Sequence, residues 1–165
     1  MVSQLKPRLL VSACLLGQRV RYDGRLLPAY PQLLAWQAQG LLVVLCPEVA
    51  GGLPVPRLPA EVPGGQGELI WRGAAGLCDS QGHDVSQAFR HGAAQAVQLA
   101  QQHDLRWALL KARSPSCGNQ HTYDGSFTGT LVSGEGVTAA ALRLAGVTVF
   151  CEDQLADVER LMLDV

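Results

Sequence analysis

The chain's 165 residues predict an α/β domain built on a mainly parallel sheet of about four to five strands. Short apolar runs at 8–13, 41–45, 107–110 and 147–150 have the length of buried strands and end in turn residues. Longer segments with helical spacing separate them. Hydrophobic residues make up 48% and charged residues 16% of the chain, enough for a sizeable core in one domain. Strands alternating with helices imply βαβ units, so a single Rossmann-like three-layer domain over 1–165 is expected.

Each element follows from its own residues. The run 8–13 is the first strand, and Gly17 with the polar stretch 18–24 forms a loop. Pro28 and Pro31 precondition a helix over roughly 30–39, which Gly40 closes. Residues 41–45, rich in Leu and Val, are the second strand. Five prolines and five glycines fall in 47–67, which predicts a long irregular loop. Residues 69–78 read as a short strand or hairpin. Asp84-Val-Ser opens a helix of about twenty residues with Phe89, Gly92, Ala96 and Ala100 near helical spacing. Residues 107–110 are the third strand, and a Gly/Ser/Asn/Thr-rich loop covers 114–129. A helix at 137–144 stops at Gly146; 147–150 is the fourth strand, and 152–164 a last amphipathic helix.

Composition excludes several function classes. Net charge is −1, with no Lys/Arg-rich run, which argues against nucleic-acid binding. No apolar stretch reaches the ~18 residues of a membrane span. Five widely spaced cysteines, an odd number, argue against a secreted disulfide framework and for reduced thiols in the cytoplasm. Lys6 and Arg8 before LLVSAC imitate a lipoprotein signal, but Leu9, Leu10 and Val11 fall short of the usual ~7–15 apolar residues.

Three of the cysteines follow strands: Cys14, Cys46 and Cys117. Ligands of open parallel sheets bind at the carboxyl ends of the strands, so these thiols are expected to converge there. Three thiolates are one short of a closed tetrahedral set, which suggests a metal or cluster with an open position. Pro47 stiffens the exit from Cys46 and places Glu48 beside it. Ser114-Pro-Ser116-Cys117-Gly118 combines a rigid turn, two hydroxyls and a thiol. The same residues also suit an ordinary buried cysteine and an ordinary turn. Lys111 and Arg113 lie where cations would favour thiolates or hold an anion, or simply a solvated strand end. A Cys-x-x-x-x-x-Arg phosphate loop fails at Cys14, because Val20 stands where the arginine belongs. No G-x-G-x-x-G or P-loop sequence is present. Of the histidines, only His121 is near a site residue in sequence. Cys78 has no companion, whereas Cys151 also follows a strand and competes as a fourth ligand.

The segments VSACLLGQRVRYDG, CPEVAGGLPVPRLPAE, KARSPSCG and YDGSFTGTL together resemble the TudS-like thiouracil desulfidase family, over about residues 8–152. The resemblance implies a 4Fe-4S cluster held by Cys14, Cys46 and Cys117, with one iron free to take the sulfur of a thiolated base such as 2-thiouracil. It implies Glu48 and Ser114 as an acid–base pair and Asp23 as a pocket residue; Ser116 and Lys111 are further candidate substrate contacts. The partner expected is a small thiolated base, with neither nucleic acid nor membrane. The thiocarbonyl carbon is electrophilic and its sulfur soft, so hydrolysis to a carbonyl needs no net redox change. Cys78 and Cys151 depart from the family pattern. A cluster-free persulfide sulfurtransferase and a non-enzymatic metal- or cluster-binding sensor are the alternatives.

Overall fold

A computed structural model of the chain describes residues 6–163. Its centre is a four-stranded parallel sheet of β1 (Leu9–Ser12), β2 (Leu42–Leu45), β5 (Trp107–Leu110) and β8 (Thr148–Cys151), ordered β2-β1-β5-β8. Leu9 pairs with Leu42 on one side and Trp107 on the other, and Leu110 pairs with Cys151. The first crossover runs outward from β1 to β2, and the next returns past β1 to β5. The strand order therefore reverses between β1 and β5, the position where open α/β sheets bind ligands.

The near-continuous apolar runs of the strands serve two cores, because successive side chains point to opposite faces. Leu9, Val11 and Leu109 pack with Leu33 and Trp36 of α1 (Pro31–Ala38) and Val158 of α6 (Leu155–Leu163). Leu10, Ala108 and Leu110 face Ala96 and Ala100 of α4 (Ser86–Gln102) and Leu142 of α5 (Val137–Leu144). The result is the three-layer, Rossmann-like α/β arrangement the sequence predicts. A third cluster, including Ile70, Phe89 and Val137, packs α3 (Gly67–Trp71) on the outer side of α4 and α5.

The structure corrects several local expectations. Residues 47–67 are not wholly irregular: Pro47–Ala50 form the one-turn helix α2, and Ala60–Glu61 form β3. The segment 69–78 is no hairpin. It begins inside α3 and ends at β4 (Cys78–Asp79), which pairs antiparallel with β3. The loop 114–129 contains β6 (His121–Tyr123), paired with β7 (Leu131–Ser133). Cys151 is the last residue of β8 rather than the first beyond it.

Close backbone approaches position the functional turns. A Cβ added at Gly92 of α4 would overlap the Pro47 carbonyl, and one at Gly51 would overlap that of Ala88. These two glycines let α2 lie directly on α4. The turn at 114–117 is bound to the start of α5: Val137 N donates to the Pro115 carbonyl at 3.0 Å and Thr138 N to the Ser116 carbonyl at 2.8 Å. Those bonds satisfy helix-terminal donors that would otherwise be orphaned.

Candidate active site

A cavity of about 640 Å³ opens at the carboxyl ends of β1, β2 and β5, at the point of strand reversal. Cys14, Cys46 and Cys117 all line it, so the structure brings together the three thiols that the sequence places after strands. Cys14 lies in a 3-10 turn, Ala13–Leu16, that leaves β1. Cys46 precedes α2, and Cys117 closes the Ser114 turn. Cys14 and Cys117 are buried, at 8% and 4% exposure, and Cys46 is half-buried. Cys78 and Cys151 do not line the cavity. The Cys151 backbone N–H is instead engaged by the Gln154 side chain at 3.0 Å.

Burial holds all three cavity thiols in their protonated form. It pushes Cys14 up to about 12, aided by the charges of Cys117 and Cys46 and opposed by Lys111. It pushes Cys117 up to about 11, against hydrogen bonds from Ser116 and Ser12. Cys46 is raised by burial too, while backbone N–H groups of Val49 and Glu48 favour its thiolate. The Ser12 hydroxyl donates to Cys117 Sγ at 3.4 Å and accepts the Lys111 backbone N–H at 3.0 Å.

On α2, Glu48 lines the same cavity. Its Oε1 accepts Arg57 Nε at 3.1 Å, and its Oε2 accepts the Ser116 hydroxyl at 2.8 Å, with Ser114 Oγ at 3.5 Å. Ser114 and Ser116 hydroxyls lie 2.9 Å apart. Ser114 Oγ also accepts the backbone N–H groups of Ser116 and Cys117 at 3.2 and 3.1 Å. Both of its lone pairs are thereby occupied, so Ser114 is a hydrogen-bond donor here. Ser116 makes the short contact with Glu48.

The other sequence-predicted residues divide. Lys111 lines the cavity, but its ammonium is paired with Glu152 at 2.8 Å and bonded to the Ala112 carbonyl. Arg113 lines the rim, exposed and at φ 63°. Asp23 does not line the cavity; it accepts the Arg25 N–H within its turn and lies 3.9 Å from Arg21, which does. His121 is exposed on β6 and takes no part. Sequence reasoning missed Ser12, Arg57, Glu152 and Glu61. Glu61 Oε1 accepts N–H groups of Gly125 and Phe127, holding the Phe127 ring on the cavity rim. A half-buried acid at position 48 calls for a cation nearby, and Arg57, nine residues on, was the readable signal.

Among the described residues no group of three His, Cys, Asp or Glu side chains forms a site for one metal ion. A single tetrahedral ion with bonds of about 2.3 Å would draw thiolates to within roughly 3.8 Å of one another. Three thiols lining one cavity are a soft donor set that fits an iron–sulfur cluster, which offers each a separate iron.

Fold and site together define an α/β protein with a three-thiol cavity at the strand reversal, which a carboxylate and two serines also line. The family model for 2-thiouracil desulfurase matches residues 9–154, and the chain belongs to that family. It is 39% identical over 150 residues to the uncharacterized protein YbbK of Bacillus subtilis (strain 168), covering 91% of this chain and 99% of that protein. It is also similar to a solved structure of the 4Fe-4S-dependent thiouracil desulfidase TudS. That match has 43% identity and a TM-score of 0.86, and covers 97% of this chain and 100% of the other.

Proposed function

We propose that the chain hydrolyses the carbon–sulfur bond of a thiolated pyrimidine such as 2-thiouracil, with a 4Fe-4S cluster held by Cys14, Cys46 and Cys117. The observation that carries this reading is the convergence of three thiols on one cavity with the Glu48–Ser116–Ser114 chain beside them. Bound there, the cluster supplies a soft Lewis-acidic iron without a protein thiolate, suited to the sulfur of a thiocarbonyl.

The chain's own residues supply the proton chemistry. Glu48 Oε2 takes a proton from the water that attacks the thiocarbonyl carbon. Ser116, 2.8 Å from that oxygen, fixes its direction. Ser114 gives its hydroxyl hydrogen bond to the negative charge that develops on the substrate, since it has no free lone pair with which to accept. The carbon–sulfur bond then breaks as Glu48 returns its proton to the departing sulfur, and the proton still on the added hydroxyl passes to the freed Glu48 carboxylate as the carbonyl forms, so that sulfur leaves as hydrosulfide. The rim aromatics Tyr22, Tyr123 and Phe127 offer faces to a planar base. Burial of the thiols disfavours the cluster-free persulfide alternative, which needs a thiolate near neutral pH. Metal binding deprotonates a coordinating thiol outright.

The same reading makes the 165 residues one functional domain. It also places the protein in the cytoplasm, where five free cysteines stay reduced. Among the described residues no helix is long and apolar enough to cross a membrane.

The test is anaerobic purification with iron and acid-labile sulfide analysis, followed by turnover of 2-thiouracil to uracil. Alanine at Cys14, Cys46 or Cys117 is expected to abolish iron binding, whereas Cys78→Ser and Cys151→Ser retain it. Glu48→Gln is expected to keep the iron and lose about 10²–10⁴-fold in kcat. An iron-free protein with full turnover would sink the reading.

A further inference from the structure

Arg57 lies in the proline-rich stretch between α2 and β3, outside every element of regular structure. Its side chain is only 7% exposed. Nε donates to Glu48 Oε1 at 3.1 Å, one terminal nitrogen to the Pro54 carbonyl at 3.0 Å, and the other to the Val20 carbonyl at 2.9 Å. The guanidinium thus spans three segments: the loop that follows Cys14, the turn that follows Cys46, and its own loop. Three of its five N–H groups are thus engaged within the protein, and the one on Nε goes to Glu48.

The two oxygens of Glu48 consequently have separate tasks. Oε1 is anchored on Arg57, and Oε2 meets Ser116 and Ser114. A glutamate's terminal torsion is soft and broadly distributed, so an unanchored carboxylate turns freely. Here it would also have other cations to turn toward, because Arg21, Lys111 and Arg113 line the same cavity. A lysine cannot replace the anchor fully: its ammonium is a single point, and the three acceptors lie in different directions.

We propose that Arg57 is a positioning residue of the desulfuration reaction, fixing Oε1 of Glu48 so that Oε2 alone faces the serines and the attacking water. The inference rests on the reading of Glu48 as the proton-handling group.

The test uses the anaerobically purified, iron-loaded protein. Arg57→Gln is expected to lower kcat by about 100-fold, the scale of a misplaced catalytic group, with KM within about threefold of the parent. Iron and sulfide per chain stay unchanged. Arg57→Lys restores part of the loss. In a Glu48→Gln background the Arg57→Gln change alters the residual kcat by less than about twofold, because the group it positions is gone.

The proposal is overturned if Arg57→Gln keeps kcat, raises only KM, strips the iron, or costs as much in the Glu48→Gln background as in the parent. Should Arg57→Gln fail to fold, Arg57→Lys carries the test: an intermediate kcat with normal KM supports the proposal, and a parental kcat overturns it. Full kcat in Glu48→Gln alone would instead remove the reading of Glu48, a separate result.

Discussion

Gly92→Ala tests whether the packing of α2 on α4 sets the activity from outside the cavity. A Cβ at Gly92 would lie 2.7 Å from the Pro47 carbonyl carbon and closer still to its oxygen, against about 3.4 Å for ordinary contact. Backbone cannot give way as a flexible side chain does, so α2 must lift by about an ångström. Glu48 lifts with it, away from a Ser116 contact of 2.8 Å. A displacement of that size in a catalytic group costs about 10²-fold in rate. Stability changes less. Overpacking costs about 1–3 kcal/mol, while alanine in a helix interior returns about 1 kcal/mol relative to glycine. The net loss of roughly 0–2 kcal/mol lowers Tm by no more than about 8 °C for a chain of this size. Cys46 itself sits next to β2, where the ladder from Leu45 to Ser12 holds its backbone, so iron loading is expected to persist. The assay is kcat for thiouracil turnover, normalised to iron, alongside a thermal melt. A kcat within about threefold of the parent would refute the idea that α2 must seat against α4 for Glu48 to work.

Two further outcomes follow from the hydrogen bonds and burial around the thiols. Ser12→Ala removes a hydroxyl donor from Cys117 and leaves the Lys111 N–H unpartnered, at a cost of about 1–3 kcal/mol. Loss of a hydrogen bond to a ligating sulfur shifts a cluster's potential negative, which voltammetry on the loaded protein would show; an unchanged potential contradicts the assigned donor. In the metal-free protein, the unfolded chain releases its thiol protons near 9, whereas folded Cys117 and Cys14 hold theirs to about 11 and about 12. The folded state then binds more protons, so the stability these thiols contribute is fully present below about pH 9 and falls as pH rises through the folded values. Urea midpoints at neutral pH and near pH 10.5 should therefore separate, and a flat profile contradicts the burial of the thiols.

The sheet was legible because each strand is a short, almost continuous apolar run, as expected of a sheet covered on both faces. The long α4 was legible from its periodicity. The five-residue α3 was not, because Gly67-Glu-Leu-Ile-Trp is too short to show a helical period and takes its stability from packing on α4 and α5. The β6–β7 hairpin was hidden for a similar reason: two three-residue strands joined by a loop do not alternate long enough to be read. At the site, residues just past a strand were readable because that position faces the ligand edge. Ser12 was overlooked because it belongs to the strand itself, and Arg57 because sequence displays a charge but not its burial or partner. Asp23 lies in a readable motif, yet its carboxylate serves its own turn.

Cys151 is the residue with the strongest sequence claim to a fourth ligand position, and the strand order explains why it does not take it. The cavity centres on β1, with β2 bringing Cys46 from one side and the turn after β5 bringing Cys117 from the other. β8 lies beyond β5, two strand spacings or about 10 Å from β1. Cys151 is still inside β8, paired with Leu110, so it ends before the chain reaches the edge where the other thiols gather. Glu152, the next residue, does reach inward, but to hold Lys111 and the Ala112 N–H rather than to enter the cavity. The contribution of β8 to the site is thus a carboxylate that fixes the turn after β5. Among the described residues the three cavity thiols gain no fourth from β8 because the topology keeps Cys151 off the cavity, not because the chain lacks a cysteine.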